Sequence, residues 1–167
     1  MQENNFINSA LKVIQIEGKA ILGLQDQIEE TFNDLCTNIL STKGKLILMG
    51  IGKSGHIAQK ISATLSSTGT PSFFIHPTEA AHGDLGMIDK KDAILILSNS
   101  GETKEIIEIL PALKRCAGSI FTLTNNADST IAKIGDIHIL IKANEEACPF
   151  DLAPTSSTTL ALVFGDA

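Results

Sequence analysis

The chain has no tryptophan and no tyrosine, and its 167 residues include only seven phenylalanines and three cysteines. Without indole or phenol rings, the stacking platforms of single-strand nucleic-acid binders would rest on phenylalanine and histidine alone. Basic residues are in the minority too: 13 Lys and Arg stand against 19 Asp and Glu, giving a net charge of −6 and a pI of about 5.1. A basic stripe following a phosphate backbone is not expected, so nucleic acid is excluded as a general partner. An anionic small molecule remains open, because a few local donors can dominate one pocket. Cys36, Cys116 and Cys148 are far apart, and no pair has zinc-ligand or redox spacing. We read them as reduced thiols of a cytoplasmic protein. No apolar run approaches the ~20 residues of a membrane span. Met1–Asn5 lacks the basic start and apolar core of a signal peptide, so no membrane is expected as a partner.

Hydrophobic residues make up 43% and charged residues 19%, which suits one folded domain with a real core. Between Asn5 and Ser41 apolar residues recur at helical spacing: Ile7, Leu11, Ile14, then Ile21, Leu24, Ile28, Phe32, Leu35 and Ile39. One long helix or two consecutive helices are expected there, with Gly18 and Gly23 as candidate bends. They either cover a sheet or serve an oligomer contact. From Lys45 on, strand-like runs at 45–50, 72–75, 93–97, 118–123 and 136–141 alternate with helical stretches at 53–67, 103–116 and 129–134. Another helix begins near Thr155. Short apolar strands joined by helices predict a parallel sheet covered on both faces, with ligands bound outside the carboxyl ends of its strands. We divide the chain into an N-terminal helical arm, 1–42, and a ligand-binding domain, 43–167. The segment from His76 to Asp89 is expected to be a loop or a single helical turn, and its length marks it as functional. Gly165-Asp166-Ala167 follows the last helix without a polar tail, and we expect a truncated chain or the first domain of a longer protein.

Two loops carry the chemistry. Gly50-Ile51-Gly52-Lys53-Ser54-Gly55 follows the first strand, and Ser98-Asn99-Ser100-Gly101-Glu102-Thr103 follows the third. Each opens a helix, where free N–H groups and the positive end of the helix dipole favour an anion. The first loop matches the Gly-x-Gly-x-x-Gly dinucleotide pattern, but the second strand ends in His76-Pro77 rather than in the acid that would hold a ribose. Lys53 and Ser54 suit the monophosphate of a sugar better than a pyrophosphate. The three hydroxyls of the second loop suit a phosphate dianion, with Ser100 also expected to cap the helix and Glu102 to sit in its first turn. Glu102, Glu105 and Glu108 are spaced along that helix, so Glu102 and Glu105 can approach a pocket at its start. His76 and His82 occupy the loop at the strand ends, where they suit acid/base or substrate contacts. His56 and His138 are read as structural. Glu145-Glu146-Ala147-Cys148-Pro149 follows the last strand and offers a further carboxylate.

The two loops, together with Ala153-Pro154-Thr155-Ser156-Ser157-Thr158-Thr159, resemble the sugar isomerase (SIS) domain. His76–Gly86 and Glu146-Ala147-Cys148-Pro149 narrow the resemblance to the arabinose-5-phosphate isomerases. It implies a flavodoxin-like three-layer αβα sandwich with a five-stranded parallel sheet, a homotetramer and a cytoplasmic enzyme that needs no cofactor. The reaction it implies interconverts D-ribulose 5-phosphate and D-arabinose 5-phosphate, on the way to 3-deoxy-manno-octulosonate and lipopolysaccharide. By matching position, Lys53, Glu105, Glu146 and His82 are candidate catalytic residues. Gly52, Ser54, Gly69, Thr70, His76, His82 and Lys142-Ala143-Asn144 are candidate substrate contacts, with His76 also a candidate zinc ligand. Ser98, Ser100 and Thr103 would hold the phosphate. Members continue into a Ser-His-Pro-Gly-Gly segment and paired CBS domains, which lie beyond this chain, so weak or absent turnover is expected of this stretch alone. The reaction moves a proton between C1 and C2 through a cis-enediol, with Glu146 or Glu105 as base, Lys53 polarising the carbonyl or holding the phosphate, and His82 or the histidine of the Ser-His-Pro-Gly-Gly segment opening the sugar ring. A non-catalytic sugar-phosphate sensor and a nicotinamide-cofactor enzyme are the rival readings.

Overall fold

The computed structural model describes residues 6–167; Met1–Asn5, where no signal peptide is expected, lie outside the described residues. Five strands form one parallel sheet in the order β2-β1-β3-β4-β5. They are β1 (Leu46–Met49), β2 (Ser72–Phe74), β3 (Ala93–Leu97), β4 (Ser119–Thr124) and β5 (Ile137–Leu140). The strand-like runs of the sequence thus become strands: β3 keeps the expected bounds, β4 is displaced by one residue, and β1, β2 and β5 are shorter by one or two. The central ones, β1 and β3, are buried along their whole length. A parallel strand covered on both faces needs apolar side chains in both directions, which is why Leu-Ile-Leu-Met and Ala-Ile-Leu-Ile-Leu read as unbroken runs.

Alternate residues feed two separate cores. Leu46, Leu48, Leu95 and Leu97 point to one layer, shared with Ala58, Ile61, Leu160 and Phe164. Ile47, Met49, Ile94 and Ile96 point to the other, shared with Ile106, Leu110 and Leu113. The first layer holds α3 (Gly52–Ser67) and α7 (Ser156–Asp166), which lie side by side, with α1 (Phe6–Leu24) against α7 and α2 (Glu30–Ser41) against β5. The second holds α4 (Pro77–Ala81), α5 (Lys104–Cys116) and α6 (Thr130–Ile134). A three-layer αβα sandwich preceded by helices is the result.

The N-terminal segment is two helices. α1 runs through Gly18 and Gly23 without a break, and the chain turns only at the 3-10 turn Gln25–Gln27 and the extended residues after it. The bend expected at those glycines is therefore displaced: with α1 resting on α7, helical hydrogen bonding outweighs the roughly 1 kcal/mol intrinsic penalty of each glycine. Gln27 ties the turn to the sheet, its side chain accepting from the Lys142 N–H at 2.7 Å and donating to the Lys142 carbonyl at 3.2 Å. Phe32 and Phe164 meet edge to face, centroids 5.4 Å apart. The segment from His76 to Asp89 holds the short helix α4 and the 3-10 turn Asp84–Met87.

Candidate active site

In this strand order the chain leaves β1 towards one edge of the sheet and β3 towards the other, so their carboxyl ends diverge and open a crevice. A cavity of about 360 Å³ occupies it, lined among others by Lys53, Ser54, Ser98, Asn99, Glu146, Asp151, Ser157 and Thr158. Three segments build the wall: the loops after β1 and β3, and the stretch from Glu146 into α7.

The first loop explains its glycines. A methyl group on Gly55 would lie 2.7 Å from the Gly50 carbonyl oxygen, and one on Gly50 would lie 2.9 Å from the Gly55 nitrogen. Strand and helix approach so closely that only glycine fits at either position. Ile51 precedes the helix and makes no side-chain cap, so no side chain from that position covers the N-terminal amides of α3. Lys53, exposed in the first turn, brings the cavity's one lysine side chain.

The second loop bonds to itself. Ser98 is 3% exposed; its hydroxyl shares a 2.8 Å hydrogen bond with the Thr103 hydroxyl and accepts from the Gly101 N–H at 3.2 Å. Ser100 accepts from the Glu102 N–H at 3.2 Å. The expected cap at Ser100 is not formed: α5 begins at Lys104, Thr103 stands at its N-cap position without a side-chain bond, and Ser100 lies further out in the loop. Glu102 likewise lies ahead of the helix. Its carboxylate accepts the Thr130 N–H at 2.7 Å, so it faces the start of α6 rather than the cavity. Gly101 has φ +70° and faces the Ser129 side chain at a distance that leaves no room for a methyl group. The Asn99 carbonyl accepts the Asn125 N–H at 2.8 Å and extends the β3–β4 pairing into the site.

Glu146 holds the third segment together. Its Oε2 accepts from the Thr155 N–H at 2.7 Å, the Thr155 hydroxyl at 3.0 Å and the Ser157 N–H at 3.3 Å. Burial pushes the carboxyl upward. The nearby Ser157 hydroxyl and the donors just named pull it down further, and the net result lies below the usual glutamate range. The hydroxyl oxygens of Ser156 and Ser157 are buried without a hydrogen-bond partner. Ser157 lines the cavity beside Glu146, whereas Ser156 is fully buried behind it.

The remaining candidates are spread more widely. Gly52 opens α3 beside Lys53. Ala143 and Asn144 line an adjoining cavity of about 470 Å³ that shares Asn99, Glu146, Asp151 and Ser157 with the first. Lys142 is exposed, its backbone engaged by Gln27. Gly69 and Thr70 form the turn from α3 into β2, at the amino end of the sheet, and the structure does not bring them to the cavity. His76 precedes α4, its Nδ1 accepting the Thr78 N–H at 3.3 Å, and His82 follows α4 in solvent. Neither lines the cavity, nor do Ser100, Thr103, Glu105 or Glu108. His56 is exposed on α3, while His138 bonds Thr122 through Nδ1 at 3.1 Å. Among the described residues no group of three or more His, Cys, Asp or Glu side chains is placed to share a metal ion, so the surroundings of His76 do not fit a zinc site.

Asn99, Asp151, Ser157 and Thr158 carry no individual signal in the sequence, although the hydroxyl cluster at 155–159 is visible there. That cluster reaches the crevice because α7 packs along α3, a tertiary contact with no local signature.

A crevice at the switch point of a 2-1-3-4-5 sheet, walled by hydroxyls and one lysine, is the geometry of a small anionic ligand site. The family model of the SIS domain matches residues 39–167, and the chain belongs to that family. It is 49% identical over 166 residues to an arabinose 5-phosphate isomerase, KdsD, of Pseudomonas aeruginosa, covering 99% of this chain and 51% of the relative. The corresponding Escherichia coli K12 protein is 47% identical over 163 residues, 98% of this chain and 50% of the relative. The chain thus spans about half the length of the curated relatives it matches. Among solved structures, an E. coli CFT073 protein in complex with arabinose 5-phosphate superposes with a TM-score of 0.94 at 42% identity, covering 99% of this chain and 88% of that one. A sugar-phosphate isomerase candidate from Listeria monocytogenes superposes with a TM-score of 0.95 at 30% identity, covering 99% and 87%.

Proposed function

We propose that this chain carries the sugar-phosphate site of an arabinose-5-phosphate isomerase, an aldose–ketose isomerase linking D-arabinose 5-phosphate and D-ribulose 5-phosphate. The observation that carries the reading is the convergence of Lys53, Glu146 and the hydroxyls of Ser54, Ser98, Ser157 and Thr158 on one cavity at the strand ends, in a chain 49% identical to a KdsD isomerase. In the aldose-to-ketose direction a base takes the proton from C2, the carbonyl electrons move to O1, and a cis-enediol forms. Return of a proton to C1 with loss of the O2 proton gives the ketose. Lys53 would stabilise the enediolate oxygens or pair with the phosphate. Ser98, Ser100 and Thr103 would bind the phosphate, the Ser98–Thr103 hydrogen bond giving way to bonds with its oxygens. Glu146 or Glu105 would be the base and His82 would assist ring opening. No metal or redox group enters any step.

Glu105 and His82 are exposed and outside the cavity of their own chain, which supports a homotetramer in which neighbouring copies complete each site. The outward face of the proposed 1–42 arm, with Phe6, Ile7, Leu11 and Ile14 exposed, offers an apolar surface for that assembly. A cytoplasmic role in supplying 3-deoxy-manno-octulosonate for lipopolysaccharide completes the proposal.

The test is a coupled assay that supplies each pentose phosphate and follows the other. Conversion in both directions supports the isomerase. Thermal stabilisation by these sugars without conversion supports an isomerase domain cut short of its catalytic complement, or a sensor domain. Neither conversion nor binding would sink the pentose-phosphate assignment.

A further inference from the structure

We infer that Thr155 is a positioning residue that holds Oε2 of Glu146 against the scaffold and leaves Oε1 as the oxygen free to meet the substrate. The inference rests on the isomerase reading for its consequence, but its geometry stands alone. The Thr155 hydroxyl has two partners: the Ala147 N–H at 2.7 Å and Glu146 Oε2 at 3.0 Å. An amide can only donate, so the hydroxyl accepts from Ala147, and its single proton goes to the carboxylate. The direction of both bonds is thereby determined. The Thr155 N–H at 2.7 Å and the Ser157 N–H at 3.3 Å converge on the same Oε2. Thr155 and the Ser157 N–H thus all meet the carboxylate on Oε2, with the Ser157 hydroxyl close by as a further donor.

The same hydroxyl closes the base of the loop between Ala147 and Thr155. That loop carries Asp151, Leu152, Ala153 and Pro154 to the cavity wall, with Asp151 in the left-handed region at φ +52°. One side chain therefore sets both the carboxylate's orientation and the loop that walls it. The other ionisable groups on the two cavities that Glu146 lines are Lys53 from α3, its neighbour Glu145, and Asp151 and Cys148 in the loop. Burial raises the Glu146 carboxyl, and the surrounding hydroxyl and amide donors outweigh it.

The test is a carboxyl-carbon NMR titration of Glu146 in the wild type, Thr155→Val and Thr155→Ser, beside the pH profile of turnover. Valine removes the hydroxyl at nearly constant shape. Glu146 is expected to titrate about one pH unit higher, and serine to restore the wild-type value. The acid limb of kcat/KM moves the same way, kcat falls about tenfold, and KM changes less. In a Glu146→Gln background the valine substitution has no further effect on kcat. If Thr155→Val does not fold, Thr155→Ala gives the same titration shift. An unchanged Glu146 titration in a folded valine or alanine variant overturns the proposal, as does a shift that serine fails to reverse. A wild type that neither converts nor binds pentose phosphate while the titration shift appears overturns the isomerase reading and supports the Thr155–Glu146 coupling.

Discussion

The two ends of the sheet each hold a carboxylate that accepts backbone N–H groups, and they use it differently. At the amino end Asp92, 3% exposed, accepts from the Lys45 N–H and the Asp89 N–H, both at 2.8 Å. It joins the start of β1 to the start of β3 and uses one oxygen for each bond. At the carboxyl end Glu146 gathers three donors on one oxygen, and its side chain lines a cavity. A buried carboxylate with both oxygens turned to the scaffold is a structural joint. One with an oxygen left over is available for chemistry. The hydroxyls repeat the contrast within the carboxyl end, where Ser98 and Thr103 satisfy each other while the Ser157 hydroxyl lies beside Glu146 on the cavity wall.

Substitutions at the two ends should therefore separate stability from activity. Lys53→Met at the open end is expected to have the largest effect, a loss of turnover of about 10³-fold, or ~4 kcal/mol of transition-state stabilisation. Its melting temperature should stay near that of the wild type; a large drop would blur the contrast. Gly101→Ala should breach it, because this open-end residue is part of the scaffold. The positive φ and the collision with Ser129 together predict about 3 kcal/mol of destabilisation in urea unfolding. Asp92→Ala at the closed end leaves two amides unsatisfied, which predicts about 2 kcal/mol lost with sugar-phosphate binding unchanged, read by denaturation and calorimetry.

Acid should sharpen the comparison further. The Glu146 carboxyl sits below its ordinary range in the fold, so its contribution is fully present above the unfolded value and is lost as pH falls through the folded one. Glu146→Gln is expected to lower stability at neutral pH and to flatten its decline between those two values, measured by melting across acid pH. The smallest effect is predicted at an exposed ion pair on α6. Lys133→Ala removes an exposed 3.7 Å ion pair with Asp128 and should change stability by less than about 0.5 kcal/mol.

Much of the sheet was legible because each β-strand is short, apolar and bounded by a loop. Both glycine-bearing loops lie where the sequence places them, at the carboxyl ends of β1 and β3. Reading failed where a residue's partner is distant in the chain. Ser100 matches a capping pattern, yet the φ of Gly101 carries the chain past it before α5 begins. Glu102 has the spacing of a pocket carboxylate but pairs with Thr130, 28 residues on. Gly18 and Gly23 predict a bend that the contact of α1 with α7 suppresses.

By itself the sequence determined the strand and helix order, the parallel sheet and the two loops that open the crevice. These follow from local periodicity and from glycines at positions where a side chain would collide. Only the tertiary structure decided that α7 would bring Ser157 and Thr158 to the cavity, that Oε2 of Glu146 would be engaged by Thr155, and that His82 and Glu105 would stay outside. Those outcomes depend on how helices dock across a sheet and on which lone pairs remain after the backbone is satisfied, and nearest neighbours in the chain encode neither.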